Sequence, residues 1–439
     1  MKSIDEMQLK SNRKIRMNWG GGDLSSDTGV LLQKEFAAKI GFDKIIAASF
    51  KTDDANANRT HTDTKNLEQE VYQTIAGYFR EDDVDEMRTD PVFCEILQKD
   101  LLASQPTMSR FFNRTSDITL KQFEEINSSL RKRIYAIAPP ERILFDLDST
   151  LFETYGKQEG NDYNYHYSSH GYHPLLCYDG LTGDLLKSQL RNGSIYTSKG
   201  ADDFMRPLLE EYMNEYPGVD VYLRGDSGFA APELYELLEQ NGCSYAIRLK
   251  QNAVLTQEVA DLADVLIERT KSNAIEYSVI YGECMYQAKS WRYPRRVVVK
   301  VEKPENQLAH LYTFIVTNMD LSPEQLIKFY CNRGRMENFI KESKSGFDFR
   351  TMSSSAQIVN ANRLQISMLA YNLFNWFRRM VLPEKMRHLR IDTIRMKLFK
   401  VASKLVRGAR YLTFKLCSSC PYKAEFAETL RNIWQLQLE

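Results

Sequence analysis

The order of the apolar runs between Arg142 and Lys250 constrains this chain more than any other feature. RILFDLDST, GYHPLLCYDG and DLLKSQLRNG read as three successive strands, with Tyr178-Asp179-Gly180 and Gly183-Asp184 supplying hairpin turn chemistry. A helical stretch from Ala201 to Tyr216 follows, then the strand VDVYLRGDSGF, a helix from Pro232 to Glu239 and the strand CSYAIRLK. This order sets Asp146 and Asp148 at the end of the first strand and Asp226 at the end of the fourth. A carboxylate at the end of a buried strand suits covalent phosphoryl catalysis and suits a metal-bound nuclease equally. The strand alone leaves both open.

Three strands in meander, a helix, a fourth strand, a helix and a fifth strand is the order of an RNase-H-like domain. The expected fold class is therefore α/β: a mixed five-stranded sheet with helices, interrupted by a β-rich insertion and preceded by a helical DNA-binding region. The expected divisions are 1–138, mainly helical; 139–252, the first part of the core; 253–321, the insertion; 322–382, the second part of the core; and 383–439, a basic helical C-terminal region. In the first, SSDTGVLLQKEFAAKIGF predicts an amphipathic helix capped by Ser26 or Asp27. PVFCEILQKDLLASQPTMSRFFNR predicts two short helices with Ser104 as a cap, a helix-turn-helix pattern presenting Thr107, Ser109, Arg110, Asn113 and Arg114. In the insertion, IEYSVIYGECMYQ, RRVVVKVEK and LYTFIVTN alternate as strands do.

The 58 basic and 58 acidic residues cancel, so a polyanion site must arise from segregated charge. The stretch from Arg378 to Lys415 holds twelve Lys and Arg against Glu384 and Asp392, which makes it a candidate phosphate-contact surface. The start MKSIDEMQLK has no apolar signal core, and LQISMLAYNLFNWF is too short and polar to span a bilayer, so a cytoplasmic protein is expected. The seven scattered cysteines fit reduced thiols. Cys417 and Cys420 have metal-like spacing but no second pair to complete a zinc site. His166 and His170 on an extended strand would lie roughly 13 Å apart, too far to share one ion, and with His173 they read as structural.

From Ser322 the chain predicts a helix with Glu324 and Gln325 in its first turn. On a helix at about 100° per residue, Tyr330, Arg333, Glu337, Lys341 and Lys344 fall within roughly 80° and share one face. Gly334 inside it costs about 1 kcal/mol relative to Ala and hints at close approach of a backbone or ligand. Tyr330-x2-Arg333-x3-Glu337-x6-Lys344 matches the Y-R-E-K signature of bacterial insertion-sequence DDE transposases. Asp148-Ser149-Thr150 and the stretch from Leu223 through Asp226 to Phe229 resemble the first and second carboxylate motifs of that superfamily. Ser25–Gly29, Arg88–Pro91, Ala103–Arg110, Gly171–Pro174 and Leu190–Gly193 resemble the group named after insertion sequence 1380, so the similarity reaches from the N-terminal region to about Tyr371.

The resemblance implies a nucleoid-associated enzyme that cleaves at a transposon boundary and joins the freed 3′-OH to target DNA, by cut-and-paste with a hairpin intermediate. It implies two Mg²⁺ ions, with Mn²⁺ able to substitute, held by Asp148, Asp226 and Glu337 as catalytic and metal-binding residues; hard divalent cations favour such oxygen donors. Double-stranded DNA, namely inverted-repeat ends and target, and a homodimer in a synaptic complex are the implied partners. Tyr330, Arg333 and Lys344 inherit phosphate contacts by position. Lys341, Lys250, Asn252, Arg191 and Arg110 are further DNA-binding candidates. Trp291 with Arg292 in SWRYPRR is the candidate for stacking on a displaced base, in competition with Tyr293 and with a core role for the Trp. Two other readings remain at this point. One is a haloacid-dehalogenase-like phosphatase using Asp146, for which GDSGFAAPEL has Ala230 and Ala231 where a second Asp should stand. The other is an inactive DNA-binding derivative.

Overall fold

The computed structural model describes residues 7–54, 59–270, 277–307 and 309–437. The chain forms two compact units: one of residues 139–341 and 350–361, the other of 1–138, 342–349 and 362–439.

The first unit is built on a mixed sheet. In chain order its strands are β1 (Arg142–Ser149), β2 (Leu175–Asp179), β3 (Leu185–Gln189), β4 (Asp220–Gly225), β5 (Ser244–Leu249), β6 (Ser278–Tyr286), β7 (Arg295–Lys303) and β8 (Leu311–Thr317). They lie in the order β6-β7-β8-β5-β4-β1-β2-β3. Strands β1 to β3 pair antiparallel, whereas β4 runs parallel to both β1 and β5. The expected meander and the strands after each helix are thus all in one sheet, in the expected order. The sequence from the insertion departs from expectation in one respect: β6, β7 and β8 pair onto the free edge of β5 and enlarge the core sheet to eight strands. Their alternation reads correctly, since β7 buries Val297, Val299 and Val301 while Arg296, Lys300 and Glu302 stay partly exposed. Of the strand expected from Ile275, residues Ile275 and Glu276 lie outside the described residues.

Two helices precede β4 and β5: α1 (Ala201–Glu215) and α2 (Pro232–Gln240). Helix α3 (Pro323–Cys331) begins as the sequence predicts, with a capping box between Ser322 and Gln325 and Pro323 in the first turn. Its Leu326 and Ile327 pack on Ala246, Val298 and Ile315 of the sheet. The helix does not run on through Glu337. It stops at Asn332–Arg333, and α4 (Gly334–Gly346) starts afresh. Nothing in the protein lies within 4 Å of where a Cβ on Gly334 would stand, so no backbone approaches this glycine, which stands at the helix break.

Under the sheet, the Asp146 carboxylate receives two hydrogen bonds of 2.7 Å from Arg224, and Arg224 also donates to the Phe329 carbonyl at 2.8 Å. Both side chains are buried. The pair therefore ties β1 to β4 and both to the end of α3. Gly180 is required beside it, because a Cβ there would stand 2.2 Å from Asp146 Oδ2.

The other unit is mainly helical, with helices Val30–Lys39, Phe42–Ser49, Asp63–Ala76, Pro91–Leu97, Gln105–Phe112 and Asp117–Ile137. Phe36 packs edge-on against Phe377, and Phe374, Phe377 and Phe399 continue this aromatic core, so residues from both ends of the chain share it. The cap expected at Ser26 or Asp27 is absent: Gly29 precedes the helix without a side-chain cap. Asp27 is instead buried and accepts from Tyr78 Oη at 2.8 Å and Lys400 Nζ at 2.6 Å. A buried carboxylate gains more from a cation and a phenol than from one backbone amide. The two helices of the expected DNA-reading pair are present, with Ser104 at the N-cap of the second. Arg110 is exposed, whereas Arg114 is held by Asp54 and Asp63.

The C-terminal region is not uniformly helical, since Ser403–Arg407 and Leu412–Leu416 form a β-hairpin that pairs with Leu24–Ser25. Several of its cations face inward. Arg378 pairs with Glu342 at 2.9 Å, and Arg395 donates to the carbonyls of Thr74 and Ile75 at 2.8 Å. Among the described residues, no helix is long and apolar enough to cross a membrane.

Candidate active site

Parallel pairing of β1 and β4 puts Leu147 opposite Gly225, so the next residues, Asp148 near the end of β1 and Asp226 just past β4, stand at the same end of neighbouring strands. Adjacent strands lie about 4.8 Å apart. Carboxyl ends of parallel strands are the habitual ligand sites of α/β sheets. Asp148 Oδ1 accepts from the Ser149 amide at 2.8 Å, and Asp226 Oδ1 from the Gly228 amide at 2.7 Å. These short backbone bonds fix both carboxylates at that end of the sheet.

The helix break brings cationic and phenolic groups to this pair. Arg333 Nη2 lies 2.9 Å from Asp148 Oδ2 and donates to the Leu147 carbonyl at 3.3 Å. Burial pushes the Asp148 carboxyl up to about 6, with the neighbouring Asp226 adding to the rise and Arg333 opposing it. Tyr330 is raised by burial too, with Arg333 and Arg248 pulling it down and Asp226 and Asp148 pushing it up. Four of the expected residues, Asp148, Asp226, Tyr330 and Arg333, therefore share one electrostatic neighbourhood.

Glu337 does not join them. It is exposed on α4 and lies 3.6 Å from the exposed Lys341. Because α3 ends at Cys331, the single helical face predicted for Tyr330 through Lys344 does not exist, and Arg333 pairs with Asp148. Lys344 is partly exposed on α4, in the stretch assigned to the other compact unit. Among the described residues no three His, Cys, Asp or Glu side chains come together as a metal cage. Asp148 and Asp226 fit a hard divalent cation in chemistry, as two neighbouring carboxylate donors, and fall one carboxylate short in number.

Two DNA-contact expectations are corrected by burial. Trp291 is only 6% exposed, with Tyr235 and Tyr286 edge-on to it at 5.4 Å and the Arg295 guanidinium 5.5 Å away, so its ring is core packing with no free face for a base. Tyr293, 43% exposed, has the access that Trp291 lacks, and Arg292 lies over it at 5.7 Å. Arg191 is also buried, donating to the carbonyls of His173 at 3.0 Å and Lys199 at 2.9 Å. It reaches the Thr197 carbonyl as well, and Thr197 packs where a Cβ on Gly228 would stand and touches Ser149. Arg191 thus braces the loop behind both carboxylates instead of meeting phosphate.

Lys250 is exposed, and Asn252 caps the helix that follows it, accepting from the Leu255 amide at 2.9 Å. His173 is buried and its Nδ1 lies 2.9 Å from the Ile195 carbonyl, consistent with its structural reading. The phosphatase reading loses its nucleophile, because Asp146 is fully buried in its bidentate pair with Arg224 and cannot reach a phosphate.

Two residues of the site escaped the sequence reading. Arg248, exposed on β5, acts on Tyr330, and Tyr167 donates to the Ser149 carbonyl at 3.3 Å. The Tyr167 phenol is raised to about 12 by burial and by Asp148 and Asp226. The apolar-polar alternation of β5 is the signal that could have found Arg248, while the aromatic run around Tyr167 carries none.

The family model described as transposase DDE domain, group 1, matches residues 7–438. The chain belongs to this transposase family. No curated protein matches the sequence. Among solved structures, the transposase is similar to a chain titled "Cryo-EM structure of piggyBac transposase synaptic complex with hairpin DNA", at 14% identity and a TM-score of 0.45, over 90% of this chain and 82% of that one. The family makes the chain a DNA transposase of the DDE class, enzymes of DNA cleavage and strand transfer that generally use divalent metals.

Proposed function

We propose that the chain is a Mg²⁺-dependent insertion-sequence transposase that binds terminal inverted repeats, cleaves at the element boundary and transfers the 3′-OH to target DNA, by cut-and-paste through a hairpin intermediate. The observation that carries this reading is that Asp148 and Asp226 stand at the same end of adjacent parallel strands, beside Arg333 and Tyr330. Asp148 and Asp226 would hold the metal, with Glu337 as the third carboxylate once DNA is engaged. Bound there, divalent cations would activate the attacking oxygen and stabilise the leaving one. Arg333, paired with Asp148, would also offer phosphate a guanidinium whose fork is suited to it. Tyr330 and Lys344 contact the backbone near the scissile bond, and Arg248 and Lys250 extend that cationic border. Two copies of the chain act on paired ends.

The test is a plasmid carrying the element's ends, incubated with purified protein and Mg²⁺ or Mn²⁺. Wild type yields boundary cleavage and strand-transfer products; Asp226→Ala binds the ends and yields neither. Cleavage by Asp226→Ala at the wild-type rate would refute the assignment, and wild type that binds ends without ever cutting would favour the inactive derivative.

A further inference from the structure

The mainly helical unit carries a charge feature that the candidate active site does not use. Residues 7–22, MQLKSNRKIRMNWGGG, contain Lys10, Arg13, Lys14 and Arg16 and no carboxylate; residues 403–415, SKLVRGARYLTFK, contain Lys404, Arg407, Arg410 and Lys415 and no carboxylate. In a chain whose charges cancel overall, this is strong segregation. The residues that follow the first segment join the second across almost the whole sequence: Leu24 pairs with Lys404 and Ser25 with Ser403, and the Leu405 amide donates to the Asp23 carbonyl at 2.8 Å. Lys404 also lies against the glycine run that ends the first segment, since a Cβ on Gly22 would stand 2.9 Å from its Cε.

Each segment is a hairpin. Met7–Gln8 pairs with Arg16–Met17, leaving Lys10, Arg13 and Lys14 exposed in its turn. In the other, Lys404 stands directly opposite Lys415, both exposed. Like charges directly opposite on a sheet destabilise it. Neither lysine has an acidic partner among the described residues, nor does Arg410 at the tip, whereas Arg407 pairs with Glu95 at 3.0 Å. Tyr411 is 75% exposed beside this pair and Trp19 87% exposed at the end of the first segment. Lys404, Arg410 and Lys415, exposed on one short hairpin with the exposed Tyr411 ring, suit the phosphates of a nucleic-acid backbone.

We propose that the hairpin of residues 403–416, through Lys404, Arg410, Lys415 and Tyr411, is a sequence-independent clamp on duplex DNA, separate from the candidate active site. It deepens the transposase reading by naming a second DNA contact, and binding without metal tests it apart from catalysis. The probe is a random-sequence DNA duplex, titrated with the full chain over a range of salt concentrations. The variant Lys404→Gln/Arg410→Gln/Lys415→Gln changes only exposed side chains, and its thermal transition checks that it folds. A control, Lys121→Gln/Arg133→Gln/Lys289→Gln, removes equal charge elsewhere. Each phosphate contact contributes about 0.9 to the slope of log K against log salt, so the hairpin variant should lower the slope by about 2.7 while the control leaves it near wild type. Equal slopes for wild type and hairpin variant, or an equal loss in the control, would overturn the clamp. Tighter binding to anionic lipid vesicles or to duplex RNA than to duplex DNA would overturn the choice of partner. If end cleavage fails in every preparation but the slope difference persists, the clamp stands and the transposase mechanism does not.

Discussion

Removing Arg224 should leave the most damaging single vacancy in the sheet. Its guanidinium makes two bonds of 2.7 Å to the buried Asp146 and one of 2.8 Å to the Phe329 carbonyl, inside a site with no access to water. Hydrogen bonds to charged groups contribute roughly 1.5–3 kcal/mol each, and breaking a buried ion pair from one side costs about 3–5 kcal/mol. Arg224→Met should therefore lose about 3–5 kcal/mol in urea denaturation at neutral pH, a drop of roughly 2–4 °C in Tm per kcal/mol for a unit of this size. Asp146→Leu should cost a similar amount by stranding the arginine. The double variant Asp146→Leu/Arg224→Met should recover most of the loss, because an apolar pair of similar volume replaces a desolvated ion pair at little cost. The cycle should thus show strong coupling. If Arg224→Met stays within about 1 kcal/mol of wild type, or the two losses simply add, the pair does not hold β1, β4 and α3 together.

Other consequences follow from burial and charge. The Asp148 carboxyl is raised from 3.8 to about 6, so the stability tied to its protonated form is complete below about pH 4 and is lost as pH rises through 6. The shift corresponds to roughly 3 kcal/mol, and Asp148→Asn should flatten urea stability between pH 4 and 7 while raising it at pH 7; an unchanged pH dependence contradicts the assignment. Trp291→Ala should cost about 3–5 kcal/mol as a core truncation, whereas Tyr293→Ala should stay near neutral in stability and weaken binding to unpaired DNA instead. The reverse order would restore Trp291 as the stacking residue. Glu337→Gln, on an exposed side chain, should keep stability within about 0.5 kcal/mol of wild type yet abolish end cleavage. Full cleavage by that variant would remove Glu337 from the metal set.

What the sequence disclosed was what depends on local periodicity. The runs RILFDLDST and VDVYLRGD show both a buried strand and a carboxylate at its end, so Asp148 and Asp226 were legible without a structure. The face expected for Tyr330 through Lys344 assumed one unbroken helix, and two residues in a turn at Asn332–Arg333 were enough to send Arg333 to Asp148 and Glu337 to solvent. Arg191 and Trp291 show another limit. A cation or an indole has the same letter whether it meets DNA or braces a loop, and only burial separates the two. The pairing of Leu24–Ser25 with Ser403–Lys404 leaves no local trace, because each strand is short and its partner is at the other end of the chain.

A divalent metal held where β1 and β4 end would be mapped by affinity cleavage with iron. Fe²⁺ replaces Mg²⁺ at an oxygen-donor site and, with ascorbate and peroxide, cuts the backbone beside it. Cuts are expected near Asp148 and Asp226, suppressed by excess Mg²⁺ and absent in Asp148→Asn/Asp226→Asn, with a further cut near Glu337 when end DNA is bound. Cuts that persist in the double variant, or that map away from both strand ends, would contradict a metal held there.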